Sequence, residues 1–312
     1  MEFLAPIASS PLFWSGCAVG AAATAAYSIY ATVFAFPKMP SLPSRTGSST
    51  GAATRSVVLY ELEHRPRSVG SLSGFCLAVE AHLNALGVKF ERLEAFKDKM
   101  PPRGKAPFLE HTLTDGTVVA ICESDEIDRY LLEAFDSPTS RILADAAVAD
   151  ASRRTTVRLL KRLATDRLYF VGMYAAVVPG AWSVVRHEGG MPWPFADLFG
   201  AFLRRSMYDQ CCAAAGGIGR MPLGEALRSA EGDLDSVEEA VGRLASGTGF
   251  LSGMDKPCSS EVAAWAHLVP CVFERRDSPL GAAVAARPET SRWLRRVAEF
   301  YFPDRVRAAL DE

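Results

Sequence analysis

Strand-forming patterns in this chain are confined to one stretch, residues 56–121, and helical periodicity dominates everything after it. The run SVVLYEL at 56–62 is rich in β-branched and aromatic side chains, which is typical of a strand. The order β-α-β-loop-β-β-α predicts an α/β domain over 56–137, and the later helical windows predict an all-α domain over 145–312. The predicted elements of the first domain are a helix over 71–87, a strand over 88–96, strands over 106–111 and 117–121, and a helix over 124–135.

The first 36 residues form an apolar segment in which Glu2 is the only charged side chain. About 20 apolar residues span the hydrocarbon core of a bilayer, so residues 1–36 predict one N-terminal transmembrane helix. A transit peptide would be rich in Arg and a signal peptide would begin with basic residues, whereas the first 37 residues contain neither Lys nor Arg. Because the segment is also rich in Ala, a buried helix of a soluble protein is an alternative. Residues 37–55, rich in Pro, Ser, Thr and Gly, predict a flexible linker.

Basic residues follow this segment and none precedes it, which sets the expected orientation in a membrane. Lys38, Arg45 and Arg55 place the C-terminal domains on the cytoplasmic side by the positive-inside rule. Gly16 and Gly20 form a GxxxG pair that lets two helices approach closely within a membrane, so the pair is a candidate contact for membrane-protein partners. A chance match in a segment rich in Gly and Ala is an equal alternative.

Charge and cysteine content argue against two classes of function. Lys and Arg total 34 and Asp and Glu total 36, which leaves a net charge of −2, so we expect no nucleic-acid partner. The seven Cys show neither CxxC nor Cys/His spacing, so we expect reduced thiols and no metal site. His82 is expected to be solvated on the first helix, and His267 to be a hydrogen-bonded histidine of the core.

Two short motifs connect this topology to a known superfamily. The segment KAPFL at 105–109 resembles the xVPxL segment of glutathione S-transferases, and ESDEI at 123–127 resembles their E-S-x-A-I motif. The resemblance implies a thioredoxin-like domain followed by the all-α C-terminal domain of a glutathione transferase. It also implies that Pro107 follows a cis peptide bond and that the backbone of Ala106 pairs with the peptide backbone of glutathione.

The second motif carries the other half of the implied ligand site. The resemblance implies that Glu123 and Ser124 hold the γ-glutamyl end of glutathione at a helix N-terminus, where backbone N–H groups favour a carboxylate. The alternative is that Ser124 is simply the N-cap of the helix.

The segment SLSGFCLAVE at 71–80 is similar to the failed-axon-connections and metaxin-like branch of the superfamily. Many members of that branch carry an N-terminal membrane segment, which agrees with the predicted anchor. The branch implies a mitochondrial membrane or the endoplasmic reticulum as the location. Further segments that match this branch are 167–170 (RLYF), 217–220 (GIGR), 278–280 (SPL) and 301–304 (YFPD).

Catalysis would require a donor that stabilises the glutathione thiolate. The resemblance makes Ser73 the first candidate and Ser71 the second, although Ser73 could also serve only as a helix cap. Cys76, in the first turn of the same helix, is expected to pack inward. Gly74 departs from the family pattern, because the superfamily branch has Pro at this position.

A second departure lies in the helical domain. The family has an S/T-x-x-D cap where this chain has Cys258 and Glu261, and Ser259 is an alternative cap.

Two functions follow as hypotheses. The first is a membrane-anchored glutathione-transferase-like protein that binds glutathione and conjugates it to an apolar electrophile. The second is a catalytically silent, metaxin-like accessory subunit of a membrane assembly. Transferases of this fold are often dimers, so a dimer is compatible with both.

Overall fold

The computed structural model describes residues 45–46, 53–62, 69–71, 73–135, 137–178, 195–213 and 217–310. The chain divides into two units, residues 1–43 with 102–104 and residues 44–101 with 105–312, and the fold below is that of the second unit. The predicted anchor over 1–36, including Gly16 and Gly20, lies outside the described residues. Within the described ranges, no helix combines the length and the apolar character needed to cross a membrane.

A five-stranded sheet forms the first domain, with the order β1-β5-β4-β2-β3. β2 and β3 are parallel and the other neighbours are antiparallel, as the β-α-β-loop-β-β-α pattern requires. The connection over 95–107, all of it described, contains no helix, which confirms the predicted loop. The strands are β1 Arg45–Thr46, β2 Thr54–Glu61, β3 Glu91–Glu94, β4 Phe108–Leu113 and β5 Val118–Cys122.

Part of the predicted linker belongs to the sheet. Arg45 and Thr46 pair with Ile121 and Ala120 on the outer edge of β5, and β2 begins at Thr54. A linker was expected because the side chains of these residues can bury little apolar surface. A strand edge instead offers backbone hydrogen bonds, which any residue other than Pro can make.

Two helices, α1 Gly74–Ala85 and α2 Ser124–Ala134, cover one face of the sheet. Val79 and Leu83 of α1 pack in the core beneath the strands. Leu77 and Ala81, on the opposite side of α1, belong to the core of the helical domain. α1 is therefore buried on both sides and is shared by two cores.

His82 corrects the sequence prediction, because it is buried (3% exposed) rather than solvated. Its Nδ1 atom lies 2.6 Å from Oδ1 of Asp128 on α2, which is also buried. The periodicity of α1 could not show this, because the partner that covers His82 comes from α2, 46 residues later in the sequence.

The rest of the described chain is helical, as predicted. The first long helix, α4, begins at Ala151 and runs to Val178 through two π-helical segments, Ala164–Leu168 and Met173–Val177. The core is centred on the fully buried Trp265, whose indole N–H donates to the carbonyl of Leu294 at 2.9 Å. The helices are α3 Pro138–Leu143, α4 (Ala151–Leu163 with its continuation), α5 Phe195–Ala213, α6 Leu223–Leu244, α7 Ser259–Leu268, α8 Pro270–Phe273, α9 Pro279–Ala285, α10 Pro288–Tyr301 and α11 Pro303–Leu310.

The N-terminus of α7 is capped from a distant part of the chain. Cys258 occupies the N-cap position but its side chain makes no capping bond to the helix, and Ser259 is the first helical residue, so the alternative that Ser259 caps this helix is wrong. Asp145 takes the role: one carboxylate oxygen accepts from the backbone N–H of Ser260 at 3.0 Å and the other from its hydroxyl at 2.6 Å. These bonds, led by the Ser260 hydroxyl, outweigh desolvation and lower the pKa of Asp145.

Candidate functional site

The register of the sheet brings the predicted site residues to one edge. Phe108, at the start of β4, lies opposite both Tyr60 near the end of β2 and Cys122 at the end of β5. Pro107 immediately precedes Phe108, and Glu123 immediately follows Cys122. The segment that leads into α1 starts from the same end of β2. Ala106, Pro107, Glu123 and Ser124 therefore gather at the sheet edge beside the N-terminus of α1.

The peptide bond between Ala106 and Pro107 is cis, which confirms the expectation from the resemblance. Pro107 is buried against the sheet, whereas Ala106 is half-buried. The strand β4 begins one residue later, at Phe108. The backbone of Ala106 thus lies at the margin of the sheet, where a peptide-like ligand could meet it.

The N-terminus of α2 faces the same edge. Glu123 occupies the N-cap position with φ +73° and makes no capping bond through its side chain. Ser124 is the first helical residue, so the alternative that Ser124 caps this helix is wrong. A positive φ at a residue other than Gly costs about 1–3 kcal/mol and persists only where its surroundings impose it. This strained conformation leaves the carboxylate of Glu123 outside the capping role.

A lysine from the helical domain makes an ion pair at this helix end. Lys161 of α4 makes an ion pair with Asp125 in the first turn of α2, with Nζ 2.7 Å from Oδ1. The partial positive charge of the helix N-terminus acts at the same place. The half-buried Glu123 and Ser124 thus lie in an environment suited to a ligand that carries both an amine and a carboxylate.

The two candidate catalytic serines are held inside the loop before α1. Ser73 is the N-cap of α1: its Oγ accepts from the backbone N–H of Cys76 at 3.5 Å, and its own N–H donates to Oγ of Ser71 at 3.4 Å. Ser71 is fully buried and donates its hydroxyl proton to the carbonyl of Leu62 at 3.1 Å. The capping role of Ser73 is confirmed, and its catalytic role stays a prediction. Ser71, with its proton engaged, is the weaker candidate.

Cys76 packs inward as predicted, with no exposed surface. Burial raises the pKa of its thiol to about 12, although the backbone of Leu62 and the hydroxyl of Ser73 act in the opposite direction. Cys76 is therefore a neutral thiol at physiological pH and does not supply a thiolate nucleophile.

Gly74 is explained by the packing of α1 on α7. A Cβ atom at this position would lie 2.9 Å from the carbonyl oxygen of Ala266 and 2.9 Å from Cα of His267. Only a residue without a side chain permits this approach of the two backbones. The departure from the family's Pro thus accompanies a close contact between the two domains.

His267 lies directly beneath this contact and lines a small cavity of about 20 Å³, room for one water molecule. Its Nδ1 lies 2.8 Å from the carbonyl of Ala263, and burial lowers its pKa to about 4, so the ring is neutral with Nδ1 as the donor. The prediction of a core histidine is confirmed for Nδ1. Among the described residues, Nε2 has no hydrogen-bond partner. No sequence pattern points to this cavity, whose other lining residues include Gly74, Leu168, Tyr169, Cys271 and Arg275.

One family model and several solved structures are similar to this chain. Residues 74–180 match the family described as glutathione S-transferase N-terminal domain. The structure of glutathione S-transferase III in apo form is 18% identical, with a TM-score of 0.48 over 82% of this chain and 96% of that chain. The β-etherase LigF of Sphingobium sp. strain SYK-6 is 17% identical, with a TM-score of 0.52 over 82% of this chain and 99% of that chain.

The described part of this chain has the fold of a glutathione S-transferase. A glutathione transferase family member from Pseudomonas fluorescens Pf-5, with two glutathione molecules bound, is 15% identical, with a TM-score of 0.44 over 82% of this chain and 92% of that chain. A search of curated proteins gave no significant match. The family match over residues 74–180 and the likeness to LigF support a glutathione-S-transferase-like fold, and the failed-axon-connections and metaxin-like branch stays a prediction. Within the described residues, no three His, Cys, Asp or Glu side chains are grouped as a metal site would require.

Proposed function

We propose that this chain is a glutathione-transferase-like protein that binds glutathione at the sheet edge. The observation that carries the proposal is the register of β4 and β5, which brings the backbone of Ala106 and the strained Glu123 at the N-terminus of α2 to the same end of the sheet. The backbone of Ala106 matches the peptide part of glutathione. The carboxylate of Glu123 suits the γ-glutamyl amine, and the helix N–H groups suit the γ-glutamyl carboxylate.

Calorimetric titration of glutathione into the full-length chain tests this proposal. We expect wild type to bind with micromolar to low-millimolar affinity. Glu123→Gln, which keeps the shape and removes the charge, should weaken binding about ten- to a hundredfold, the value of a charged hydrogen bond. Glu126→Gln is the matched control, because Glu126 lies on the same helix and pairs with Arg129. Absence of binding by wild type, or equal binding by both variants, would reject the site.

We propose further that the bound thiolate attacks an apolar electrophile with Ser73 as its hydrogen-bond donor. With an aryl chloride, the sulfur forms the new carbon–sulfur bond, chloride leaves and the thiol proton passes to solvent. Two measurements on Ser73→Ala separate binding from chemistry. In glutathione titrations its affinity should stay within about threefold of wild type, whereas its rate of conjugation with the aryl chloride should fall about a hundredfold. Conjugation at the wild-type rate would remove Ser73 from the mechanism.

The alternative is a silent, metaxin-like accessory protein. The burial of Ser73, which is 7% exposed and bonded within its own loop, favours this alternative. In that case glutathione conjugation is absent, and membrane proteins co-purify with the full-length chain. Gly16 and Gly20 are the candidate contact, so Gly16→Ile should release those partners.

We also propose that residues 1–36 anchor the chain as a single-pass helix, with the C-terminal domains on the cytoplasmic side of a mitochondrial or endoplasmic reticulum membrane. The support is the charge pattern, with one acidic residue in the segment and basic residues after it. After alkaline extraction of membranes, the full-length chain should stay in the pellet. A variant with Val19→Arg and Ile29→Arg should move to the supernatant, because a charge near the centre of a membrane helix costs about 2.5–3.5 kcal/mol. Wild type in the supernatant would disprove the anchor.

A further inference from the structure

The C-terminal helix α11 reaches across to the first domain through one arginine. Arg305 donates from Nη2 to Oε1 of Glu80 on α1 at 2.7 Å, and Arg92 of β3 donates to the same oxygen. Arg92 also lies 3.6 Å from the carboxylate of Glu61, the last residue of β2. Two buried carboxylates thus face two guanidinium groups. The pairing compensates the charges that burial would otherwise penalise.

A second contact of Arg305 goes to the loop before α1. Its Nη1 donates to the carbonyl of Val69 at 2.9 Å, while its guanidinium lies 4.9 Å from the ring centroid of Phe302. The loop backbone approaches closely here, because a Cβ at Gly70 would lie 2.3 Å from Cδ1 of Leu77 and 3.4 Å from Nη1 of Arg305. The rigid fork of one guanidinium therefore fixes both the loop carbonyl and the α1 carboxylate.

The segment that Arg305 holds is the one that leads to Ser73. Two residues after Val69, Ser71 accepts from the N–H of Ser73 and donates to the carbonyl of Leu62, at the end of β2. The next link is the cap of α1, where Ser73 accepts from the N–H of Cys76. A continuous series of bonds thus runs from the C-terminal helix to the N-terminus of α1, beside the sheet edge.

We propose that Arg305 is a positioning residue for the glutathione site, which it never touches. By fixing the carbonyl of Val69, it sets the path of residues 69–71 and hence the place of the N-terminus of α1 beside Pro107 and Glu123. The link to glutathione rests on the proposed function, whereas the link to the loop does not.

The test compares Arg305→Gln, Arg305→Lys and the control Arg307→Gln in the full-length chain. Arg307 is on the same helix but pairs with Asp304 and is largely exposed. The readouts are the glutathione Kd from calorimetry and the hydrogen exchange of the amides of Cys76 and Leu77, both bonded to Ser73. Arg305→Gln should raise the glutathione Kd about five- to thirtyfold. It should speed the exchange of these two amides by a similar factor at a temperature well below the melting temperature of the variant. Arg305→Lys should be intermediate and Arg307→Gln unchanged.

The outcomes separate the two proposals. Unchanged exchange at Cys76 and Leu77 in Arg305→Gln overturns the positioning role, whatever happens to the Kd. If wild type binds no glutathione but exchange still accelerates in Arg305→Gln, the proposed function fails and the hold on the loop is supported. If wild type binds glutathione and the Kd of Arg305→Gln is unchanged, the role in the site is overturned. Should Arg305→Gln fail to fold, Arg305→Lys, which keeps the charge beside Glu80, decides by the same criteria.

Discussion

Replacing Glu261 with Ala is expected to lower the free energy of unfolding by about 3–5 kcal/mol, because the change removes a buried acceptor that several donors share and leaves a cavity. Glu261 has no exposed surface and accepts three bonds: from the N–H of Leu251 at 2.7 Å, from the N–H of Ser252 at 3.0 Å and from the indole of Trp293 at 2.9 Å. The substitution leaves three buried donors without an acceptor and opens a cavity beside α10.

Denaturant unfolding followed by circular dichroism measures this loss. The matched control is Glu239→Ala on α6, because Glu239 is exposed and its removal should change stability by less than about 0.5 kcal/mol. Glu261→Gln separates charge from volume: it fills the space but presents an amide to three donors, so it should still cost about 1–3 kcal/mol. A loss below about 1 kcal/mol for Glu261→Ala would contradict the network.

Restoring the family's proline at position 74 should destabilise the chain rather than rigidify it. Nothing in the local backbone opposes Gly74→Pro, because Pro is favoured at the first position of a helix and Ser73 already has the extended ψ of 117° that Pro requires before it. The obstacle is α7, whose backbone would lie 2.9 Å from the new Cβ. We expect a loss of about 1–3 kcal/mol or more from this overpacking.

Thermal and denaturant unfolding check the prediction against Gly232→Ala. Gly232 lies inside α6 with open space around its Cα, so adding a methyl group there should stabilise the chain by about 0.5–1 kcal/mol. The two glycine substitutions thus have opposite expected signs. Equal or greater stability for Gly74→Pro would mean that the close approach of α1 and α7 is wrong.

Local pattern was sufficient to predict most of the fold. The β-branched and aromatic content of residues 56–62 and the helical periods after residue 145 are properties of neighbouring residues, and they led to the correct order of elements. The short motif around Pro107 predicted the cis bond. The motif at Glu123 placed that residue correctly at the N-terminus of a helix.

The features that sequence reasoning missed all depend on contacts between distant residues. The cap of α7 comes from Asp145, 115 residues before the Ser260 that it binds, and no local pattern points to it. The burial of His82 goes with its pairing to Asp128 on α2, 46 residues later in the sequence, which the pattern of α1 alone does not reveal. The need for glycine at position 74 could not be predicted either, because it comes from the backbone of α7 in the helical domain.

The sharing of α1 by two cores has a mechanical consequence. Enzymes with two domains commonly close on a ligand by rotating one domain about a hinge. Here any such rotation would pull α1 away from either the strands or Trp265, and each separation would expose apolar side chains to water. For the ligand proposed at the N-terminus of α1, this means that α1 itself would not move on binding, and that only side chains and loops around the site could control its access.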